Sequence, residues 1–295
     1  MATQPAMQGL FVAIVTPFTA DNRVNEDAFR RLIERLIGQG AAGLLVAGSC
    51  GEFPMLTGRE RSRTFELAAR FCDQLALIAN VSAPGVDEAA GLGLSAKAAG
   101  CHAIMATPPY YFRHDQAAIA SFFRALRDAV DLPLYLYNFP INTGVELDLN
   151  HPAIRTLFVD GTLAGVKHTS TNIAQLERIL SLNPVLRVFA GMEETYLAAR
   201  AIGAVGAIGA TFNVTLPLFA RIEAAFSAGD LAAARIAQRE AGDFCASLNH
   251  GDLFPAIKYA LSRLGIDAGD CRRPFPTLSD ARKAQLGALV AEKLA

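Results

Sequence analysis

The sequence lacks a paired cysteine motif, a long apolar run and an appreciable net charge, and each absence removes a class of protein. Its five cysteines (Cys50, Cys72, Cys101, Cys245 and Cys271) are dispersed, with no CxxC pair. An odd, scattered set in a long chain fits reduced thiols in a cytoplasmic protein, not a disulfide framework. Apolar runs such as 41–47 fall far short of the roughly 20 residues that a membrane helix needs. Met1 to Gln8 is polar, without a basic start and apolar block, so no signal peptide is expected. With 27 basic and 28 acidic residues and a formal charge of -1, nothing draws the chain to nucleic acid or to an anionic membrane. Several catalytic patterns are also missing. Five histidines (His102, His114, His151, His168 and His250) show no HxH or HExxH spacing, which disfavours a zinc-dependent aldolase, and no metal or other cofactor is expected. No GxSxG or Walker pattern occurs.

What is present is apolar material in a repeating order. Over 295 residues, 52% are hydrophobic, enough for one large core. Short apolar runs at 10–15, 43–47, 75–81, 103–106, 133–137, 162–166, 185–190 and 205–210 read as strands. Between them, 25–38, 57–71, 86–99, 115–130, 153–158, 173–180 and 195–202 read as helices. Thr57 and Glu60 have capping-box spacing. Eight alternating strands and helices predict a parallel sheet, and their continuous apolar character fits strands buried on both faces. A doubly wound sheet would want a glycine-rich turn after its first strand, where Thr16-Pro17-Phe18 stands instead. The expected fold is therefore α/β, a (β/α)8 barrel over 1–214, with additional C-terminal helices over 215–295 packed on it. Those helices are placed at 218–228, 231–250, 255–264 and 279–295.

In such a barrel the active site gathers at the C-terminal ends of the strands. Polar residues concentrate at those ends, including Thr16, Ser49, Cys50, Glu52, Tyr110, Tyr111, Tyr137, Asn138, Lys167, Thr169, Gly191, Glu193, Glu194 and Thr211. Lys167 is the sharpest of them, because it closes the run 162–166. Burying an ammonium is costly, so a lysine there favours the neutral amine, which can attack a carbonyl and form an imine, an electron sink for carbon–carbon chemistry. A surface lysine snorkelling to water would fit the same position. Tyr137 ends the preceding strand and could shuttle protons or stabilise an oxyanion; an ordinary rim tyrosine also fits. Gly48-Ser49-Cys50-Gly51-Glu52 could converge N–H groups on a carboxylate, or could simply be a tight turn. Glu193 and Glu194 open a helix, where carboxylates suit the dipole, and could also line a polar pocket.

Taken together and in order, Val15-Thr16-Pro17-Phe18, Gly48-Ser49-Cys50-Gly51-Glu52, Tyr110-Tyr111, Tyr137-Asn138-Phe139-Pro140, Gly165-Val166-Lys167 and Gly191 resemble the dihydrodipicolinate synthase / N-acetylneuraminate lyase family of pyruvate-handling aldolases. The resemblance runs from about Gly9 to Phe275. It implies that Lys167 forms the imine with pyruvate or a 2-oxo acid, that Tyr137 is the main proton shuttle, and that Ser49 joins a relay with Tyr110 supplied by a neighbouring subunit. It implies that the Ser49-Cys50 turn holds the pyruvate carboxylate, and that the protein is a homotetramer, a dimer of dimers. Tyr111, Asn142, Thr169, Gly191, Glu193, Glu194 and Ala210 are the further expected substrate contacts.

Departures bear on the substrate. The synthase branch reads Tyr-Asn-x-Pro-x-Arg-Thr-Gly, whereas Asn142 stands in place of its arginine, removing a bidentate carboxylate partner. Lys167-His168-Thr169-Ser170 resembles the lyase branch's Lys-Gln-Thr-Ser, and Gly191-Met192-Glu193-Glu194 its Gly-x-Asp-Glu. Ala210 replaces a lyase serine, and Asn142-Thr143-Gly144 resembles 4-hydroxy-2-oxoglutarate and 2-keto-3-deoxy-sugar-acid aldolases. The expected reaction is cleavage or condensation of a 4-hydroxy-2-oxo acid of sugar-acid type into pyruvate and an aldehyde. The alternatives are condensation of pyruvate with aspartate semialdehyde, and a non-catalytic binding or regulatory member of the family.

Overall fold

A computed structural model describes residues 5–294; residues 1–4 of the polar N-terminus and Ala295, the last residue of the expected final helix, lie outside it. The first half alternates β1 (Gly9–Ala13), α1 (Glu26–Gly38), β2 (Gly43–Val46), α2 (Gly58–Phe71), β3 (Ala76–Asn80), α3 (Val86–Ala99), β4 (Ala103–Ala106) and α4 (Gln116–Ala129). The second half continues with β5 (Leu134–Asn138), α5 (Pro140–Thr143), α6 (Pro152–Val159), β6 (Gly165–His168), α7 (Ile173–Leu182), β7 (Arg187–Ala190), α8 (Tyr196–Ala201) and β8 (Gly206–Gly209). Four helices follow: α9 (Phe212–Ser227), α10 (Leu231–Leu248), α11 (Leu253–Arg263) and α12 (Asp280–Lys293). All eight strands pair in parallel, and β8 closes onto β1. The molecule is the expected (β/α)8 barrel with added C-terminal helices.

Local chemistry sets the helix starts. Thr57 Oγ1 accepts from the Glu60 N–H while Glu60 returns a bond to the Thr57 N–H, the capping box expected at α2. Asn25, Asp115, Asn172 and Asp230 cap α1, α4, α7 and α10 with their side chains.

The barrel interior is plugged by aromatic rings. Phe11 and Phe189 meet edge to face at 4.9 Å, and Tyr135 lies 6.2 Å from Phe189. Room for them comes from glycines: a Cβ at Gly165 would lie 2.2 Å from the Tyr135 ring and 2.3 Å from the Arg187 carbonyl. Residues two apart share a face of a strand. Tyr137 therefore stands above Tyr135, and Lys167 above Gly165. The plug forms a floor beneath the two candidate catalytic residues.

Three elements differ from expectation. β6 begins at Gly165 and runs through Lys167 to His168, so the lysine lies inside the strand. The residues before it, Thr162 to Ala164, complete a turn in which Asp160 Oδ1 accepts from the Thr162 N–H at 2.9 Å. The helix expected to begin at 218 begins at Phe212, with Pro217 in its interior. It spans the anticipated 214/215 division and lies against β1, serving as the eighth barrel helix. The short α5 carries Asn142 and ends at Gly144, whose φ of +66° is the left-handed conformation glycine adopts freely.

Candidate active site

β5 and β6 place Tyr137 directly opposite Lys167 in the sheet register. Both are buried, at 2% and 4% exposure. Lys167 Nζ donates to Tyr137 Oη at 3.2 Å and lies 4.4 Å from the centre of its ring. This phenol is the only hydrogen-bond partner of Nζ among the described residues. Ser49 Oγ lies 3.5 Å from Tyr137 Oη, the outer edge of hydrogen-bond range. Lysine, tyrosine and serine thus form one continuous polar path. Phe139 stacks on the Tyr137 ring at 5.4 Å and fixes its plane.

The Gly48–Glu52 turn is shaped by two left-handed residues, Ala47 at φ +50° and Glu52 at φ +60°. Thr16 Oγ1 donates to the Gly51 carbonyl at 2.8 Å and holds the turn to the end of β1. Neither the Ser49 nor the Cys50 N–H meets an acceptor among the described residues, which suits a substrate carboxylate. The Cys50 thiol is buried, and burial pushes it well above the usual thiol range, which disfavours the thiolate. Cys50 can contribute its backbone.

The β6 and β7 ends contribute Thr169 and Gly191. Thr169 is buried and its hydroxyl has no partner among the described residues. A Cβ at Gly191 would lie 2.0 Å from that hydroxyl and 3.0 Å from the His168 carbonyl. Only glycine admits the close approach. Glu193 Oε1 accepts from both the N–H and the hydroxyl of Thr211, each at 2.7 Å. Burial raises the Glu193 carboxyl above its ordinary range, and the Thr211 bonds and Lys167 oppose that shift. One carboxylate oxygen therefore ties the β7 and β8 ends together, and the other has no hydrogen-bond partner among the described residues. Glu194 is exposed, and Ala210 is half-buried beside Thr211.

Within the single chain, Tyr110 packs on Phe53. Its half-buried ring meets Phe53 edge-on at 6.2 Å, and burial raises its phenol. It lines a cavity of about 200 Å³ together with Ser49, Thr107, Phe139, Asn142 and Phe254. Tyr111 is the residue that projects outward, 86% exposed at φ +80° and packed edge-on against Phe112 at 5.0 Å.

Three supports escaped the sequence reading. Glu52 Oε1 pairs with Lys258 Nζ at 2.6 Å, and both side chains are sealed from solvent. Glu52 Oε2 accepts from the Arg272 N–H at 2.8 Å, so α11 and the following segment hold the Ser49 turn from behind. Asn213 donates to the Ala13 and Ala210 carbonyls at 2.8 and 2.7 Å, closing the barrel rim across 200 residues of chain. On the outer face of β5 and β6, His168 bonds Asn138. Nothing in local spacing announces partners this far apart.

Comparison with known proteins agrees with this geometry. The model of the dihydrodipicolinate synthetase family matches residues 6–293. The N-acetylneuraminate lyase of Rhizobium meliloti (strain 1021) is 34% identical over 291 residues, covering 98% of this chain and 96% of that protein. The 4-hydroxy-tetrahydrodipicolinate synthase of Acidiphilium cryptum (strain JF-5) is 33% identical over 283 residues, covering 95% and 96%. The crystal structure of CdNal from Clostridium difficile in complex with mannosamine superposes with a TM-score of 0.93 at 30% identity, covering 97% of this chain and 99% of that one. Whole-chain matches of sequence and barrel, around a buried lysine and its tyrosine, make this chain a member of the dihydrodipicolinate synthetase family.

Proposed function

We propose that the chain is a lysine-dependent lyase that cleaves, or in reverse condenses, a 4-hydroxy-2-oxo acid of sugar-acid type to pyruvate and an aldehyde. The observation that carries this reading is the buried Lys167 Nζ, 3.2 Å from Tyr137 Oη. Attack on the C2 carbonyl uses the lone pair of the neutral amine. As the carbinolamine loses water, Tyr137 gives its proton to the departing hydroxyl, leaving a protonated imine at Lys167 and a Tyr137 phenolate. Tyr137 takes the proton of the C4 hydroxyl, the C3–C4 bond breaks, and its electron pair passes into the imine to give an enamine. The aldehyde leaves. Protonation of the enamine at C3 and hydrolysis then release pyruvate and restore the amine. Ser49 hands protons between Tyr137 and the cavity, while the free N–H groups of Ser49 and Cys50 hold the substrate carboxylate.

Substrate preference is supported by residues and relatives together. The N-acetylneuraminate lyase relatives and the free oxygen of Glu193 favour a polyhydroxylated aldehyde half, with Glu194, Thr169 and Gly191 beside it and Ala210 leaving space. Asn142 lines the cavity where a carboxylate-bearing aldehyde would want a cation, which weighs against 4-hydroxy-tetrahydrodipicolinate synthesis. The exposed Tyr111 and Phe112 are apolar surface suited to a neighbouring subunit, within the homotetramer that this reading includes. Five free cysteines suit a reducing cytoplasm. No helix among the described residues is long and apolar enough to cross a membrane.

A panel of N-acetylneuraminate, 2-keto-3-deoxygluconate and 4-hydroxy-2-oxoglutarate, coupled to lactate dehydrogenase, tests the reading. Pyruvate release from at least one is expected. Inertness toward all three, with consumption of aspartate semialdehyde and pyruvate, would overturn the substrate assignment.

A further inference from the structure

The β5–β6 pair carries a second matched pair of side chains, back to back with the first. Tyr137 faces Lys167 on the inside of the barrel; one residue further along each strand, Asn138 is in register with His168 on the outside. Asn138 Nδ2 lies 3.0 Å from His168 Nδ1. His168 Nε2 lies 3.1 Å from the Asn172 carbonyl, which can only accept. Nε2 therefore carries the proton, and Nδ1 of the neutral ring accepts from Asn138. The second Asn138 amide proton goes to Gln175 Oε1 at 3.0 Å, and Gln175 Nε2 donates to the Leu147 carbonyl at 3.3 Å. Asn172, the side-chain cap of α7, also accepts from the Gln175 N–H at 2.9 Å. The imidazole is 2% exposed, so both ring nitrogens are bonded in a setting closed to water.

We propose that His168 is a positioning residue of the lysine–tyrosine pair: its neutral imidazole fastens the end of β5 to the end of β6 and so fixes the distance between Tyr137 Oη and Lys167 Nζ. The inference rests on the proposed role of Lys167 as nucleophile. Asn138 and His168 are the last residues of their strands. Beyond them, among the described residues, the ladder between β5 and β6 continues only through the Thr169 N–H to the Asn138 carbonyl at 2.8 Å. Backbone bonds hold the register of the two strands; the side-chain bond adds a rung that resists twisting of one strand end against the other. Twist there is transmitted one residue back, to the catalytic pair. A displacement of about 1 Å between reacting groups can lower turnover by about 10²-fold. Burial holds the His168 imidazole below its ordinary pKa range, in keeping with a ring that works uncharged. The groups facing it from β5 and α7 (Asn138, Asn172 and Gln175) are all neutral.

The test uses the full chain as wild type, His168→Leu, His168→Gln and Gln175→Leu. Each is trapped with pyruvate and borohydride, and each is assayed for cleavage of the substrate identified for the wild type. His168→Leu is expected to keep the adduct at Lys167 and a KM within about twofold, while kcat falls at least about tenfold. His168→Gln is expected to recover most of that loss, because a glutamine can accept from Asn138 and donate to the Asn172 carbonyl. Gln175→Leu, which frees Asn138 without touching the ring, is expected to lower kcat in the same direction and by less. A folded His168→Leu with wild-type kcat would overturn the inference, as would equal impairment of the Leu and Gln variants. If His168→Leu does not fold, Gln175→Leu decides, and an unchanged kcat there overturns it. Failure of the wild type to form any adduct at Lys167 is a different result, which removes the nucleophile assignment and this inference with it.

Discussion

Lys258 Nζ lies 2.6 Å from Glu52 Oε1, and both side chains are closed to solvent. The pair joins α11 to the turn that carries Ser49. Lys258 also donates to the Asp270 carbonyl at 3.2 Å and sits 4.2 Å from the centre of the Phe18 ring, so the ammonium is satisfied on several sides. Lys258→Met leaves the Glu52 carboxylate buried without its cation, which costs about 3–5 kcal/mol. A fall in melting temperature of roughly 10 °C is expected by calorimetry. Adding Glu52→Gln should restore a large part of it, because the uncompensated charge is then gone. A melting temperature unchanged in Lys258→Met would show that the pair bears no load.

Tyr137→Phe removes the one hydroxyl that bridges Lys167 and Ser49 while leaving the ring on Phe139. Turnover should fall by about 10²–10⁴-fold, the usual worth of a positioned acid–base. The imine should still form with pyruvate. Steady-state kinetics beside borohydride trapping separates the two effects, and turnover within threefold of wild type would exclude Tyr137 as the shuttle.

Asn142 is exposed on the rim of the Ser49 cavity, at the end of the short α5. Asn142→Arg places a bidentate carboxylate partner there. Consumption of aspartate semialdehyde, measured as kcat/KM, should rise by about tenfold, the effect of roughly 1.4 kcal/mol in the transition state. The rate with the wild type's own substrate should fall. No gain with the semialdehyde would remove Asn142 from the aldehyde side of the site.

Gly191→Ala drives a methyl group to 2.0 Å from Thr169 Oγ1, with the His168 carbonyl 3.0 Å away on the other side. Overpacking of this kind costs about 1–3 kcal/mol. Denaturant unfolding should report that loss. The displaced Thr169 hydroxyl should also raise KM for the sugar acid more than it changes pyruvate trapping. Wild-type stability and KM together would contradict the close contact.

The barrel was legible in the sequence because buried parallel strands are nearly continuous apolar runs, and because the loops after them collect polar residues. Expected and observed boundaries part where one residue interrupts a pattern. Lys167 ended the expected strand at 166, although it is a strand residue whose side chain turns inward over Gly165. Pro217 delayed the expected start of α9 by six residues, although the helix runs through it. Tyr110 and Tyr111 are adjacent and chemically alike in sequence. Only backbone geometry separates them, since φ of +80° sends Tyr111 outward while Tyr110 settles on Phe53. The struts behind the site, Glu52 with Lys258 and Arg272, Asn213 with Ala13, join residues some 200 positions apart. Their pairing is a property of the closed barrel, without a local signal.

The central claim is that Lys167 is the nucleophile. Borohydride reduction of the folded protein with pyruvate, followed by peptide mass mapping, tests it most directly. The account predicts one reduced pyruvyl group, carried by the peptide containing Lys167 and absent from Lys167→Ala. A folded wild-type protein with no adduct at Lys167, or an equal adduct in Lys167→Ala, would contradict it.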